Sequence, residues 1–199
     1  MFKYQDPYFK KAKEQGYVAR SAFKLEEIQN KFHLIDKKTK IILDIGCAPG
    51  SWMQYTSGLL LKLGVKGFKI LGFDIQDVKV KIPNITTYKQ DVTDVENVKK
   101  ILTQNNISKV DFIQSDMAPF TIGLKDIDAI RAFGLIEETL RIYNEYLKED
   151  GRFAIKLFMG PGFDELVLSM KKKYGGKNIK LFKPNSSRKE SKEIFLIKI

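Results

Sequence analysis

The chain has one cysteine, one histidine and one tryptophan among its 199 residues. A lone cysteine, Cys47, excludes a disulfide within the chain and a cysteine-based metal cluster, and it points to a reducing compartment. His33 has no second histidine or cysteine pair to act with, so it reads as a structural or surface histidine and no metal is assigned. No apolar run approaches the roughly 18 residues needed to span a bilayer, so no membrane association is expected. The opening residues, Met1-Phe2-Lys3-Tyr4-Gln5-Asp6, lack the apolar stretch of a secretory signal. The expected location is cytoplasmic, or an organelle (mitochondrial) or the nucleus if the chain is eukaryotic.

What is abundant is lysine. The formal net charge is +11, with 43% hydrophobic and 30% charged residues, an ordinary composition for a folded domain. Residues 1–40 carry 10 Lys/Arg against 5 Asp/Glu, and residues 171–199 carry 10 against 2. The stretch between them is nearly neutral. Two basic ends around a neutral centre suit a polyanionic partner, because phosphate contacts dominate nucleic-acid affinity. A solvated lysine-rich surface would produce the same count.

Strand and helix patterns alternate. Lys40–Ile45, Lys69–Phe73, Ile85–Tyr88, Val110–Gln114, Arg152–Phe158, Asn178–Phe182 and Glu193–Ile197 read as strands. Helices are expected over 22–31 with Ser21 as cap, over 51–63, from a cap at Asp94 to Gln104, over 127–147 and over 162–173. Ile127, Ile130, Leu135, Ile136, Leu140 and Tyr143 keep helical spacing, and Asp150-Gly151 reads as a turn. The expected fold is α/β, a mostly parallel seven-stranded sheet with helices on both faces. One domain spans 1–199, and residues 1–40 form a basic helical extension.

In such sheets ligands sit beyond the carboxyl ends of the strands, where the strand order reverses. After the first strand comes Asp44-Ile45-Gly46-Cys47-Ala48-Pro49-Gly50-Ser51-Trp52. Its glycines fall as G-x-x-x-G, without the middle glycine of a dinucleotide fingerprint. That argues against a pyrophosphate and for a ligand with an amino-acid carboxylate and a nucleoside. Asp74, Asp91 and Asp116 follow the next three strands, a register that surface charges would not need. A carboxylate in the position of Asp74 can accept both hydroxyls of a ribose. Lys156 lies inside an apolar strand, where an unpaired lysine is costly.

Six stretches, in order, carry a resemblance. They are Asp6-Pro7-Tyr8; Arg20-Ser21-Ala22-Phe23-Lys24-Leu25; Asp44 to Trp52; Ser115-Asp116-Met117-Ala118-Pro119; Lys156-Leu157-Phe158 with Gly162-Phe163-Asp164-Glu165; and Pro184-Asn185-Ser186-Ser187-Arg188 leading to Glu193. Over roughly residues 6–199 the chain resembles the FtsJ-like (RrmJ) family of ribose 2′-O-methyltransferases. The resemblance implies a Rossmann-like S-adenosylmethionine-dependent methyltransferase fold. It also implies a catalytic Lys-Asp-Lys-Glu tetrad, matched here by Lys24, Asp116, Lys156 and Glu193. Gly46, Ala48, Pro49, Gly50, Ser51, Trp52, Asp74, Ile75, Asp91, Val92 and Asp116 would contact the methyl donor. The chain departs from the family pattern at Phe120 and over Thr121–Lys125, a loop expected to border the substrate.

The implied activity is methyl transfer from S-adenosylmethionine, without a metal, to a ribose 2′-hydroxyl of RNA. The compact chain is most similar to the branch acting on a uridine in large-subunit rRNA or the assembled subunit, acting as a monomer. The alternatives are a tRNA anticodon-loop or mRNA-cap 2′-O-methyltransferase and a non-catalytic RNA-binding ribosome-assembly factor. A small-molecule methyltransferase would share the cofactor turn but need neither tetrad nor basic ends, and the missing glycine disfavours a nicotinamide oxidoreductase. Lys156 would act as a neutral base or as a charged group steering the hydroxyl lone pair. If the tetrad forms, both basic ends must meet beside it. One basic face is then expected from residues such as Lys10, Lys11, Lys13, Arg20, Lys183, Arg188 and Lys189.

Overall fold

The computed structural model describes the backbone of residues 6–78, 80–118 and 125–199, and side chains of these except at 125–130 and 132. Pro119, Phe120 and the segment 121–124 lie outside the described residues, as do the side chains of Ile127 and Ile130. Seven strands form one sheet: β1 (Ile41–Ile45), β2 (Lys69–Asp74), β3 (Ile85–Lys89), β4 (Val110–Ser115), β5 (Leu147–Phe158), β6 (Ile179–Phe182) and β7 (Glu193–Lys198). Their spatial order is β3-β2-β1-β4-β5-β7-β6. The pairings through β3, β2, β1, β4 and β5 are all parallel, and β7 alone runs antiparallel to both of its neighbours. The chain leaves β1 towards β2 and returns on its other side as β4, so the crevice beyond β1 and β4 is the switch point.

Alternation along the strands divides the core in two. Leu43, Ile45, Leu71, Phe73, Ile113, Phe153, Ile155 and Leu196 face one way, towards α4 (Val95–Gln104), α5 (Lys125–Tyr146) and α6 (Phe163–Tyr174). Ile42, Ile70, Phe112, Ala154, Phe195 and Ile197 face the other way, towards α2 (Ala22–Phe32) and α3 (Ser51–Lys62). Both sheet faces are therefore covered, as parallel strands require.

An additional helix, α1 (Pro7–Glu14), opens the described chain. Asp6 caps it by accepting from the Tyr8 amide at 3.0 Å, and Pro7 occupies the first turn, where no donor is lost. Asp94 caps α4 in the same way, accepting from the Asn97 amide. His33 closes α2 in the left-handed conformation, its N–H donated to the Gln29 carbonyl at 2.8 Å.

Two sequence expectations are corrected. Ser21 does not cap α2: its backbone is already helical and its hydroxyl pairs with the Ser51 hydroxyl at 2.7 Å instead. The turn expected at Asp150-Gly151 belongs to β5, which begins at Leu147. Val110 opposes Leu147 and Phe112 opposes Arg152, so the strand bulges between those rungs. The buried ammonium of Lys198, on β7, satisfies the Glu149 and Gly151 carbonyls within the bulge. A local reading sees the turn residues but not the partner strand that absorbs them.

Candidate active site

A cavity of about 550 Å³ opens at the carboxyl ends of β1, β2 and β4. Gly46, Ala48, Asp74, Ile75, Asp91, Val92 and Asp116 line it, all expected from the sequence. Phe73, Gln76, Gln90, Thr93, Met117, Ala118 and Leu135 also line it and were not expected. Most of these flank the three aspartates, so the strand-end rule could have found them; Leu135 arrives from α5 and had no local signal.

The turn after β1 is tightly determined. The Gly46 and Cys47 amides donate to the Phe73 carbonyl at 2.9 and 3.2 Å. Gly46 sits at φ +74, and a Cβ there would lie 2.6 Å from the Met117 Cβ, so only glycine lets β1 and the segment after β4 approach this closely. Asp74 accepts from the Ala48 amide and the Gln76 amide, each at 2.8 Å. Its carboxylate thus joins the ends of β1 and β2 while edging the cavity. Asp91 accepts from the amide and hydroxyl of Thr93.

Four residues assigned to the methyl donor lie off this wall: Pro49, Gly50, Ser51 and Trp52. The chain turns away into α3 as soon as it passes Ala48. Gly50 abuts Val80, and Ser51 is spent on Ser21. Trp52 is only 3% exposed, stacks on Phe195 and donates its indole N–H to the Ser21 carbonyl at 2.8 Å. It is a core residue that ties α3 to α2 and β7.

Beneath the turn Asp44 is fully buried. Its carboxylate accepts from Gln114 at 2.6 Å, and Gln114 accepts from the Thr56 hydroxyl at 2.6 Å. Burial pushes the Asp44 pKa up to about 8, with the Asp116 and Asp74 carboxylates adding to the rise and the Gln114 donor opposing it. Cys47 is buried too, and burial raises its thiol far above the ordinary range, which leaves it a packing residue.

At the cavity edge four side chains from four segments converge. Lys24 of α2 lies 2.9 Å from Glu193 Oε2, at the start of β7, and 3.5 Å from Asp116 Oδ1. Lys156 of β5 lies 3.0 Å from the same Asp116 oxygen and also donates to the Asp116 carbonyl. All four side chains are largely buried, Lys156 most of all at 7% exposed. Burial would raise the Glu193 pKa, but the Lys24 ammonium, the Ser187 hydroxyl and Lys156 outweigh it and hold the carboxyl below its usual range. Two potential cations alternate with two carboxylates, an arrangement that balances charge in a poorly solvated place.

The two basic ends meet beside this cluster. Arg20 pairs with Asp6 and donates to the Ser186 carbonyl. Burial first, and then the Arg188 guanidinium, lower the Arg20 pKa. Lys10, Lys11, Lys13, Arg188 and Lys189 are exposed. Arg20 and Lys183 differ from the sequence expectation: both are half-buried and committed to internal partners, Lys183 to the Ser191 carbonyl at 2.6 Å.

The FtsJ-like methyltransferase profile matches residues 17–199. The chain belongs to the FtsJ-like methyltransferase family. It is 41% identical over 194 residues to a ribosomal RNA large subunit methyltransferase E of Bdellovibrio bacteriovorus, covering 97% of this chain and 95% of that one. A protein of the same name from Methanocaldococcus jannaschii is 41% identical over 196 residues, with 97% and 77% covered. Among solved structures, one described as a ribosomal RNA methyltransferase from Plasmodium falciparum superposes with a TM-score of 0.73 at 28% identity, covering 92% of this chain and 97% of that one. The fold of the MycE methyltransferase, solved with Mg and SAH, is also similar, at TM-score 0.57 and 14% identity over 98% of this chain and 55% of that one. For this FtsJ-like chain, the strand order, the cavity at the switch point and the family assignment agree.

Proposed function

We propose that this chain transfers a methyl group from S-adenosylmethionine to a ribose 2′-hydroxyl of large-subunit ribosomal RNA. One observation carries the reading. Asp116 lines the cavity and is at once the shared partner of Lys24 and Lys156. A ligand in the cavity and a hydroxyl at the lysines would therefore meet at a single residue. The names of the full-length relatives support ribosomal RNA as the substrate class.

The residues fit the methyl donor. Asp74 and Asp91 face the cavity as acceptors for ribose hydroxyls and for amino groups. Each already takes backbone or hydroxyl donors that hold its orientation. When bound, S-adenosylmethionine supplies a methyl group already activated by its sulfonium. The protein's task is then to align the acceptor oxygen and to handle its proton and developing charge.

Lys156 donates to the Asp116 carbonyl and forms an ion pair with its carboxylate at 3.0 Å. If it is an ammonium, an N–H not used on Asp116 addresses the 2′-oxygen and turns a lone pair towards the methyl. If it is an amine, its lone pair receives the hydroxyl proton. Asp116 sets the direction in either case. Lys24, held between Asp116 and Glu193, bears on the ribose or an adjacent phosphate. The exposed lysines of α1 together with Arg188 and Lys189 form the surface that takes up RNA phosphates.

The test uses large-subunit RNA and tritiated S-adenosylmethionine. A methylated 2′-oxygen can no longer attack its own phosphodiester, so label should survive in alkali-resistant dinucleotides, and their sequence tests for a uridine. Label released as mononucleotides would place the methyl on a base and overturn the reading.

A further inference from the structure

We propose that Glu27, assisted by Arg20, is a positioning residue: it clamps the loop before β7 onto α2 and thereby sets the Lys24–Glu193 contact. This inference rests on the methyl-transfer reading above.

The ten residues 183–192 join β6 to β7. A connection of that length is free to wander unless side chains hold it. Glu27 Oε2 accepts from the Asn185 amide at 2.6 Å, and Oε1 accepts from the Ser186 amide at 2.8 Å. One carboxylate thus satisfies two successive backbone donors. Arg20 closes the same site from the other side by donating to the Ser186 carbonyl, and Asp6 holds the guanidinium in place. Ser186 and Ser187 are buried by this contact. Lys183 gathers the far end of the loop by donating to the Ser191 carbonyl at 2.6 Å, and the Ser191 hydroxyl accepts from the Glu193 amide at 3.2 Å. Glu27 thus holds one end of the loop to α2, and Lys183 with Ser191 holds the other end against the first residue of β7.

Spacing explains why α2 can do this. Arg20, Lys24 and Glu27 recur at intervals of four and three along the chain, which places them on one side of the helix and its first turn. The helix that delivers the tetrad lysine therefore also grips the chain that delivers the tetrad glutamate. Lys24 and Glu193 are far apart in sequence, and their 2.9 Å contact needs both segments held to a few tenths of an ångström. Neither Glu27 nor Arg20 touches the cavity wall, so their effect passes through Glu193.

The experiment compares the full chain with Glu27→Ala and Glu27→Gln. Hydrogen exchange at the Asn185 and Ser186 amides and the carboxyl-carbon NMR titration of Glu193 are read alongside kcat, the KM for RNA and the Kd for S-adenosylmethionine. In Glu27→Ala both amides should exchange faster. The Glu193 titration should move up by about half a pH unit as Lys24 loosens. kcat should fall about 10- to 100-fold, with the Kd for S-adenosylmethionine unchanged. Glu27→Gln keeps one acceptor oxygen, should recover part of each effect, and serves if the alanine variant fails to fold. A variant with faster amide exchange but an unmoved Glu193 titration and normal kcat would overturn the proposal, as would unchanged amide exchange. A purely structural lesion would lower thermal stability without moving the titration. The NMR readouts do not depend on turnover, so an inactive wild-type chain would defeat the functional reading while still deciding the clamp.

Discussion

In the proposed reaction, Lys156 concentrates the chemistry in one residue. An ammonium or amine on an apolar strand persists only because Asp116 offers it two acceptors, the carboxylate and the carbonyl. Lys156→Ala should abolish methyl transfer while leaving the Kd for S-adenosylmethionine within about 3-fold, because Asp116 keeps Lys24 as a partner. Single-turnover transfer together with titration calorimetry measures both. Lys156→Arg should also fail if the residue works as an amine, since a guanidinium does not deprotonate; normal turnover would leave only the charged steering role. Asp44 is a residue-scale case of the opposite kind. Its folded pKa lies near 8 through burial, well above the unfolded value near 3.8. The folded chain therefore holds a proton that the unfolded chain has lost across that window. The resulting stability is complete below about pH 4 and lost as pH rises through about 8. Asp44→Asn should flatten urea-derived stability between pH 5 and 8 by up to about 1.4 kcal/mol per pH unit. An unchanged slope would assign that dependence to other groups.

At the scale of elements, the turn between β1 and α3 is held by a carboxylate from the next strand. Asp74 secures the Ala48 amide at 2.8 Å and lines the cavity as well. Asp74→Ala should weaken S-adenosylmethionine binding by about 1.5–3 kcal/mol for each charged hydrogen bond lost. An unaltered Kd in a folded variant would remove Asp74 from the binding site. The other element with two duties is α2, which carries Lys24 and grips the loop ahead of β7. That joint weakens in acid. The Glu193 pKa is lowered in the fold by Lys24, the Ser187 hydroxyl and Lys156 against the opposing effect of burial. Its contribution to stability is therefore present above the unfolded carboxyl value and lost as pH falls through the folded one. Glu193→Gln should reduce the acid sensitivity of unfolding below about pH 4.5, as followed by circular dichroism.

For the whole molecule, charge is arranged by the meeting of the two ends. Asp6, Arg20, Ser186 and Glu27 tie them together beside the tetrad, which brings the lysines of α1 to the same region as Arg188 and Lys189. The logarithm of the RNA binding constant should fall linearly with log salt, with a slope of about 0.7 per phosphate neutralised on single-stranded segments. Lys10→Glu and Arg188→Glu should each lower that slope without changing the Kd for S-adenosylmethionine. Filter binding from 50 to 200 mM salt gives the slope, and an affinity indifferent to salt would contradict a phosphate-dominated interface. Arg20→Glu is a different experiment, since it breaks the joint itself and should lower thermal stability as well.

The strands, the glycine turn and the carboxylates at three strand ends were legible locally, because alternation and turn chemistry are properties of neighbouring residues. So was the tetrad by type: Lys24, Asp116, Lys156 and Glu193 stand in stretches that resemble a family. What neighbours along the chain cannot reveal is who spends a side chain on whom. Trp52, beside the cofactor turn in sequence, faces Phe195 and the Ser21 carbonyl because α3 rotates it into the core. Arg20 and Lys183, counted as basic surface, are consumed by Asp6 and by loop carbonyls. Glu27 had no signal, since a helix glutamate looks the same whether it meets water or two amides 158 and 159 residues away. The chain's local pattern specified the chemistry available and the order of the strands along it. Tertiary structure decided which charges reach the site and which hold it together, because burial and pairing are set by segments that meet only when the sheet closes.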